Sequence, residues 1–330
     1  MGFIEYTGHI NINKISKLMI KYLQIFVIVI LLFACNKKQT DNFNDTPTTG
    51  IVKIGFDQCF EPIMEQEIQV FEGIYSSASV LPIYDNEVDL INLLLKDSIR
   101  LAITTRKLTK AEMAYLNNKK FYPKEIKFAT DAIALIVNKN NSDSIISVKD
   151  LGKILTGEIK NWKDIHSGSN LGNIELVFDN PNSSIVRYAI DSICKGKSLS
   201  KGLKAQKNNT EVINYVSKTP NSIGIIGANW IGDKSDTSGL SFNKNIIVMA
   251  VSREDIATIE NSYKPYQAYI ALNNYPLCRN IYAILNDPRS GLASGFASFL
   301  TSDRGQKIIL KTGIVPATQP VRIVNINKNF

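Results

Sequence analysis

Short apolar segments alternate with amphipathic helical segments along most of the chain from Ile51 onward. The first apolar segment, residues 51–56, is followed by a predicted helix over 62–75 and a second apolar segment over 80–84. A further helix places apolar residues on one face over 88–95, and residues 100–104 return as a strand. This βαβα order predicts parallel sheets that are covered by helices.

The alternation continues through the rest of the sequence. Residues 128–137 are nearly all apolar, which is typical of a strand that is buried on both faces. Further strands are predicted over 174–178, 222–226, 245–250 and 279–285, and helices over 147–156, 184–194, 210–217, 292–300 and 307–311. The chain has no internal repeat of solenoid period, so a repeat architecture is excluded.

An unbroken apolar run, Ile25 to Ala34, follows three lysines and ends at Cys35. The run is shorter than the roughly 20 apolar residues that a bilayer-spanning helix needs. A positive flank, an apolar core of about 7 to 15 residues and a small residue at the end predict a signal peptide over 1–34. Translation from Met19 is an alternative start, and the alternative to a signal is a buried strand or helix that ends in a cysteine.

Residues 36–49 are polar and cannot bury enough apolar area to order themselves, so 35–50 is predicted to be a tether. The net charge of +8 is spread out, and its densest clusters are Lys119-Lys120 and the lysines over 195–207. We interpret these lysines as solvated surface and expect no nucleic-acid partner, because stacking aromatics are not interleaved with them. A modest positive field still raises the local concentration of an anionic ligand.

The residue types needed for metal binding and for catalysis are scarce. His166 is the one histidine that remains after removal of the signal, and no Cys-x-x-Cys pair exists. The sequence therefore lacks the side chains needed for a zinc site or for a Ser-His or Cys-His nucleophile pair. We expect no metal, no cofactor and no enzymatic activity. If Cys35 is modified, Cys59, Cys194 and Cys278 remain, which allow at most one disulfide.

Several segments together carry a resemblance to a known family. They are 131–138 (DAIALIVN), 146–165 (ISVKDLGKILTGEIKNWKDI), 177–187 (VFDNPNSSIVR) and 275–316, which contains YPLCRNIYAIL and FASFLTSDRGQKIILKTGIVP. Over residues 51–320 the chain resembles the PstS-like phosphate-binding lipoproteins, which are solute receptors of ABC transporters. Leu32 to Cys35 likewise resembles a lipobox, which implies that cleavage leaves Cys35 as a lipidated N-terminus.

The resemblance implies an α/β, two-lobe fold of the type II periplasmic-binding-protein class, with mixed sheets covered by helices and a two-strand hinge. Lobe one would comprise 51–128 and 252–325, and lobe two would comprise 129–251. The chain would cross between the lobes in strands 127–138 and 245–251. The ligand would lie in the cleft between the lobes, and hinge closure would bury it.

The first candidate ligand-binding residues stand at a predicted helix start. Ser183 and Ser184 precede the helix, whose unpartnered amide groups and positive dipole end favour an anion. The family pattern here is Arg, three residues, then Ser-Gly-Thr; Ser183 and Ser184 match its Ser and Gly, Ile185 replaces its Thr, and Asp179 stands where it has Arg. The alternative reading of the two serines is plain N-capping.

A second candidate loop follows the strand over 100–103. Thr105 and Arg106 resemble the family's loop in which a ligand-binding Ser or Asp precedes an Arg. Thr105 would donate its hydroxyl, and Arg106 would supply the guanidinium that is missing at Asp179. The alternative makes Thr109 an N-cap and Arg106 a surface charge.

A third candidate loop, with Asp57, Cys59 and Phe60, follows the first strand. The resemblance implies that this loop contributes a hydroxyl and an amide, with Cys59 as an unusual substitute. A carboxylate that accepts the proton of phosphate would favour phosphate over a fully ionised anion. Asp57, Asp85 and Asp179 are equal candidates for that role, and each is also an ordinary turn or cap residue.

The resemblance predicts a lipoprotein of the cell envelope, facing the periplasm or the surface. Its function would be to capture inorganic phosphate, or a related oxyanion, for an ABC importer, with a membrane permease as its partner. The alternative is a bilobal sensor or surface-interaction lipoprotein that has lost phosphate binding, which the departures at Asp179 and Ile185 favour.

Overall fold

The computed structural model describes residues 45–232 and 241–321, together with Gly2. The predicted signal peptide over 1–34, the predicted lipidation site Cys35 and the tether up to Asn44 lie outside the described residues, Gly2 excepted. The strands are β1 (Gly50–Asp57), β2 (Ala78–Asp85), β3 (Leu101–Thr104), β4 (Lys124–Asn138), β5 (Ile145–Ser147), β6 (Glu175–Phe178), β7 (Lys204–Ala205), β8 (Ser222–Gly227), β9 (Ile246–Val248), β10 (Ala250–Ser252), β11 (Ser262–Tyr263), β12 (Cys278–Leu285) and β13 (Val315–Pro316).

The α-helices include those that the sequence predicts and one short helix, over 267–271, that was not predicted. They are α1 (Glu61–Ile74), α2 (Glu87–Leu95), α3 (Lys110–Asn118), α4 (Val148–Thr156), α5 (Ser184–Tyr188), α6 (Asn209–Lys218), α7 (Gln267–Ala271), α8 (Leu292–Thr301) and α9 (Asp303–Lys311). Within the part of the chain that the structure describes, none of the helices is long and apolar enough to cross a bilayer.

The main sheet has the strand order β2-β1-β3-β12-β4-β8-β6-β7, and β9 and β13 pair with β4 outside this path. β1 pairs in parallel with β2 and β3, and β6 pairs in parallel with β7 and β8. β12 and β8 are both antiparallel to β4. The predicted mixed α/β class is therefore confirmed.

β4 joins two groups of strands because it changes partner along its length. Its first part, Lys124 to Ala132, pairs with β12, and its second part, Ile133 to Val137, pairs with β8. The first group contains β1, β2 and β3, and the second contains β6 and β7. This is the place where the sequence predicts one crossing between lobes, and the lobe boundaries themselves remain predictions.

The second predicted crossing is an interrupted strand. Residues 245–250 were expected to form a single strand, but β9 ends at Val248 and β10 begins at Ala250. β9 pairs with β4, whereas β10 pairs with β5 and β11 in a small separate sheet. The break at Met249 lets the segment leave one sheet and join the other.

The described end of the tether is ordered, contrary to the prediction for 35–50. Asp45 Oδ1 accepts a hydrogen bond from the backbone N–H of Leu292 at 2.6 Å, which caps α8. A Cβ built on Gly295 would lie 1.7 Å from the carbonyl oxygen of Pro47, so the glycine allows the segment to approach the helix. Capping by a residue so far along the chain leaves no local sequence pattern, and Asp45 and Pro47 lie against α8.

Candidate ligand-binding site

The turn after β1 buries all three residues that were predicted there. The side chain of Asp57 caps the turn, with Oδ1 accepting the backbone N–H of Cys59 at 3.0 Å. Asp57 is 2% exposed, and Cys59 and Phe60 are fully buried. Phe60 then forms the N-cap of α1, so the start of that helix adjoins the turn.

The start of α5 lies on residues predicted as lobe two. Ser183 is its N-cap, with Oγ accepting the N–H of Val186 at 3.3 Å, and Ser184 is fully buried. The predicted α-helix over 184–194 is α-helical as far as Tyr188 and continues as a π-helical turn over Ala189–Ile193. Capping by Ser183 does not exclude an anion site at the same helix start, because the other N–H groups of the first turn lack partners within the helix.

Arg279 on β12 joins the start of α5 to the turn after β1. Its Nη1 donates to Ser184 Oγ at 2.8 Å, and its Nη2 donates to Cys59 Sγ at 2.9 Å. Its guanidinium lies 5.2 Å from the centroid of the Phe60 ring. The fourth contact is an ion pair from Nε to Oδ2 of Asp131 on β4, at 2.9 Å.

Sequence reasoning missed Arg279 and Asp131 as site residues. Both lie in strands that are otherwise apolar, and both are almost fully buried. A charge inside an apolar strand is rarely buried without a partner, so the two charges were a usable signal. Their pairing could not be predicted, because 148 positions separate them in the chain.

Asp179 lies at the end of β6 and is 3% exposed. Its Oδ2 accepts a hydrogen bond from the side-chain amide of Asn209 at 3.4 Å. Burial raises the pKa of Asp179, and Ser183 and Arg279 partly oppose this effect. Asp179 therefore belongs to the same buried cluster as Ser183 and Arg279.

Burial dominates the titration of the other carboxyl groups in this cluster. It raises the pKa of Asp57 to about 7, with the nearby charge of Glu87 adding to the effect and Arg279 opposing it. It also raises the pKa of Asp131, again against the influence of Arg279. The thiol of Cys59 has a pKa well above its ordinary value because it is fully buried.

Thr105 and Arg106 lie beside a further buried carboxylate, that of Glu87 at the start of α2. Oε1 of Glu87 accepts both the backbone N–H of Thr105, at 2.6 Å, and its hydroxyl, at 2.9 Å. Arg187 on α5 donates its Nε to Oε2 of Glu87 at 2.6 Å and its Nη2 to the Thr105 hydroxyl oxygen at 2.7 Å. Arg187 also pairs with Asp191, four positions further along the chain, at 3.3 Å.

Arg106 is largely engaged with a neighbour on α3. Its two terminal nitrogens donate to the carboxylate of Glu112 at 2.7 and 2.8 Å, and its Nε lies 4.0 Å from Glu87 Oε2. The hydrogen bonds from Arg106 lower the pKa of Glu112 to about 2. Thr109 is the N-cap of α3, as one reading of the sequence predicted.

The predicted residues therefore fall into two groups. Asp57, Cys59, Phe60, Asp179, Ser183 and Ser184 surround Arg279, whereas Thr105 and Arg106 surround Glu87. The two groups of residues lie close together, since the charge of Glu87 in the second group raises the pKa of Asp57 in the first.

A further contact links residues 228–230 to the turn after β1. The indole Nε1 of Trp230 and the side-chain amide of Asn229 both donate to the carbonyl oxygen of Cys59, at 2.7 and 2.9 Å. Gly227 makes room for this contact, since a Cβ there would lie 2.5 Å from Cys59 Sγ. Both the carbonyl and the thiol of Cys59 are thus held by residues far from it in the chain.

Comparison with known proteins gives the same class of protein from sequence and from structure. A family model described as the PBP superfamily domain matches residues 42–304. The chain is 29% identical over 300 residues to the phosphate-binding protein PstS of Borreliella burgdorferi, covering 87% of this chain and 98% of that protein.

Solved structures resemble the chain over most of its length. A substrate-binding protein of the phosphate ABC transporter type from Clostridium perfringens, with bound phosphate, matches with a TM-score of 0.67 and 20% identity, covering 82% of this chain and 100% of that one. PstS from Borrelia burgdorferi matches with a TM-score of 0.52 and 27% identity, covering 81% and 98%. At 20% identity the first of these likenesses establishes the fold alone.

Proposed function

The chain belongs to the PBP superfamily, and from that membership we propose that it captures inorganic phosphate, or a related oxyanion, and presents it to an ABC importer. The relatives named as phosphate-binding proteins support this proposal. The superfamily is one of substrate-binding transport proteins, and the proposed role is to bind and release the ligand unchanged.

One contact carries the proposal, the hydrogen bond from Arg279 to Ser184. It places a guanidinium at the start of α5, where first-turn N–H groups are available to an anion. A guanidinium and backbone amides together suit the several oxygens of a tetrahedral anion. Arg279 would thereby supply the cation that is missing at Asp179.

The ligand would lie between the turn at 57–60 and the start of α5, which belong to different predicted lobes. Closure of the lobes would bring Ser184 to Arg279, Arg187 to Glu87 and Trp230 to the Cys59 carbonyl. All three contacts connect residues of 129–251 to residues outside that range. A ligand that favours these contacts would shift the population toward the closed form.

The finer proposal concerns anchoring. We propose that Cys35 carries a lipid, that the mature chain is held at a membrane of the cell envelope, and that a permease receives the ligand there. Mass spectrometry of the mature protein tests this directly: the expected N-terminal residue is a lipidated Cys35, and an unmodified or uncleaved N-terminus contradicts it.

Isothermal titration with inorganic phosphate tests the function. We expect saturable heat with one site per chain and a rise in the melting temperature on adding phosphate. Absence of both would favour the alternative of a bilobal sensor or surface-interaction protein that has lost phosphate binding. The observation that favours this alternative is the group of buried carboxyls, Asp57, Asp131 and Asp179, around Arg279.

A further inference from the structure

The carboxyl groups around Arg279 each have one oxygen that is buried and without a hydrogen-bond partner among the described residues. These oxygens are Asp57 Oδ2, Asp131 Oδ1 and Asp179 Oδ1. The three residues are 2%, 0% and 3% exposed, so bulk water does not solvate them. A buried polar atom without a partner is costly, and its recurrence on three neighbouring carboxyls indicates a place where a ligand group completes the hydrogen bonds.

Asp131 is the carboxyl that balances the charge of Arg279. The two form a direct ion pair at 2.9 Å, in which both side chains are at most 3% exposed. Asp57 and Asp179 make no ion pair with any of the described residues. Asp57 accepts the Cys59 N–H, and Asp179 accepts the Asn209 amide, which are neutral donors.

The surroundings of Asp57 and Asp179 disfavour two more negative charges. Asp57 faces Glu87 from α2, Arg279 from β12, Ser184 from α5 and the Cys59 thiol from its own turn.

Asp179 faces Ser183 on α5, Arg279 on β12 and Asn209 on α6. Arg106 is paired with Glu112 and Arg187 is paired with Glu87, so neither arginine neutralises a negative charge on Asp179. Burial of a carboxyl favours its protonated form, and it raises the pKa of both Asp57 and Asp179.

We propose that Asp57 and Asp179 bind phosphate as neutral carboxylic acids, each donating its O–H to a phosphate oxygen. This inference rests on the proposed function and deepens it. Asp179 then supplies an uncharged donor at the position where the resembled family has an arginine. The protons remain on the two carboxyls in the closed site, so phosphate binding retains or takes up protons and its affinity falls as the pH rises.

Substitution with asparagine distinguishes whether each carboxyl group donates a hydrogen bond to phosphate or accepts one from it. Asp179→Asn keeps an N–H donor at the same place but has no proton to lose, and Asp57→Asn does the same in the turn. Asp179→Ala removes the donor altogether. Asp303→Asn is the matched control, because Asp303 is an exposed carboxylate paired with Lys307.

The experiment is isothermal titration of the full chain with inorganic phosphate between about pH 6 and pH 9, in buffers of different ionisation enthalpy. We expect the affinity of the unchanged chain, relative to that of Asp179→Asn, to fall by up to about tenfold per pH unit above neutrality. Taking this ratio cancels the ionisation of phosphate itself. At low pH Asp179→Asn should bind phosphate about as tightly as the unchanged chain, whereas Asp179→Ala should bind more weakly. Above neutrality, where the affinity ratio falls, the unchanged chain should take up as much as about one proton more on binding than Asp179→Asn does.

Several results would overturn the inference. If Asp179→Asn loses phosphate binding at every pH while remaining folded, as its melting curve shows, then Asp179 is an acceptor and not a donor. If the affinity ratio to Asp179→Asn is constant with pH, Asp179 holds no proton in the complex, and a constant ratio to Asp57→Asn shows the same for Asp57. If the unchanged chain binds no phosphate at any pH, the proposed function itself fails, which is a different result from binding with the wrong pH dependence.

Discussion

Arg187 Nε lies 2.6 Å from Glu87 Oε2, although 100 positions separate the two residues in the chain. Glu87 stands in the first turn of α2, and Arg187 stands on α5. The side chain of Glu87 is 2% exposed, so its charge depends on this partner more than a surface carboxylate would. The pair ties the two predicted lobes together beside the candidate site.

Arg187→Ala should lower the free energy of unfolding by about 2 kcal/mol, because it leaves a buried carboxylate with fewer donors. Urea unfolding measures the loss. Asp191→Asn is the control, since it removes the exposed partner of the same guanidinium and should change the free energy by less than about 0.5 kcal/mol. Equal effects of the two substitutions would show that the contact with Glu87 contributes no more than the surface pair.

Arg279→Lys should weaken phosphate binding by about 2 kcal/mol or more, because an ammonium lacks the planar fork of donors with which the guanidinium contacts Asp131, Ser184 and Cys59. The reading of the sequence in which Arg106 supplies the guanidinium implies a loss of this size for Arg106→Ala. We now expect a smaller loss there, because Glu112 takes both terminal nitrogens of Arg106. Calorimetry on both variants decides between them, and a larger loss at Arg106 would move the site toward Glu87.

Glu67→Gln should remove a pH dependence of stability. Glu67 is fully buried on α1, neither of its oxygens has a hydrogen-bond partner among the described residues, and burial raises its pKa to about 9. Because the folded chain binds this proton more tightly than the unfolded chain, the group's stabilising contribution is complete below the ordinary pKa of 4.5 and is lost as the pH rises toward about 9.

Melting curves between about pH 5 and pH 8 test this prediction. The unchanged chain should lose stability over this range by more than Glu67→Gln does. Glu65→Gln, at an exposed position of the same helix, should behave like the unchanged chain. Parallel pH profiles for all three proteins would contradict the assignment of the proton to Glu67.

Asp45→Ala should destabilise the chain by about 1 kcal/mol, as expected for loss of a helix cap. Its carboxylate accepts the N–H of Leu292 at the start of α8. Thr48→Ala, in the same segment, is the control, because the Thr48 contact to Thr46 uses its backbone N–H and not its side chain. If chemical denaturation gives the two variants equal stability, the segment does not cap α8.

Trp230→Phe should weaken phosphate binding several-fold while preserving the fold, because it keeps a ring but removes the N–H that donates to the Cys59 carbonyl. Tryptophan fluorescence provides a second readout. Trp162 is fully buried and its indole N–H donates to the carbonyl oxygen of Asn221, not to the turn, so a change of emission on adding phosphate should come from Trp230. A change that persists unaltered in Trp230→Phe would assign it to Trp162 instead.

The local pattern was sufficient to predict most of the fold. The apolar segments at 51–56 and 128–137 lie within β1 and β4, and the helix expected over 62–75 is α1 within one residue at each end. Strands of two residues, such as β7 and β11, were not predicted. They are too short to carry an alternation of apolar and polar side chains, and tertiary pairing forms them.

The site was predictable only in part, for a related physical reason. The helix start at Ser183 and Ser184 has a local signature, and the structure places both serines in the cluster. Arg279 has none, because its partners Ser184 and Cys59 lie 95 and 220 positions away. Glu87 was not predicted as a site residue for another reason. An acidic residue in the first turn of a helix is already explained by the helix dipole.

A crystal structure of the chain with inorganic phosphate would locate the anion relative to Arg279. We expect tetrahedral density between the turn at 57–60 and the start of α5, within hydrogen-bond distance of the Arg279 guanidinium and of the backbone N–H of Ser184 or Ile185. Phosphate bound elsewhere, or a closed site in which the carboxyls of Asp57 and Asp179 turn away from the anion, would contradict it.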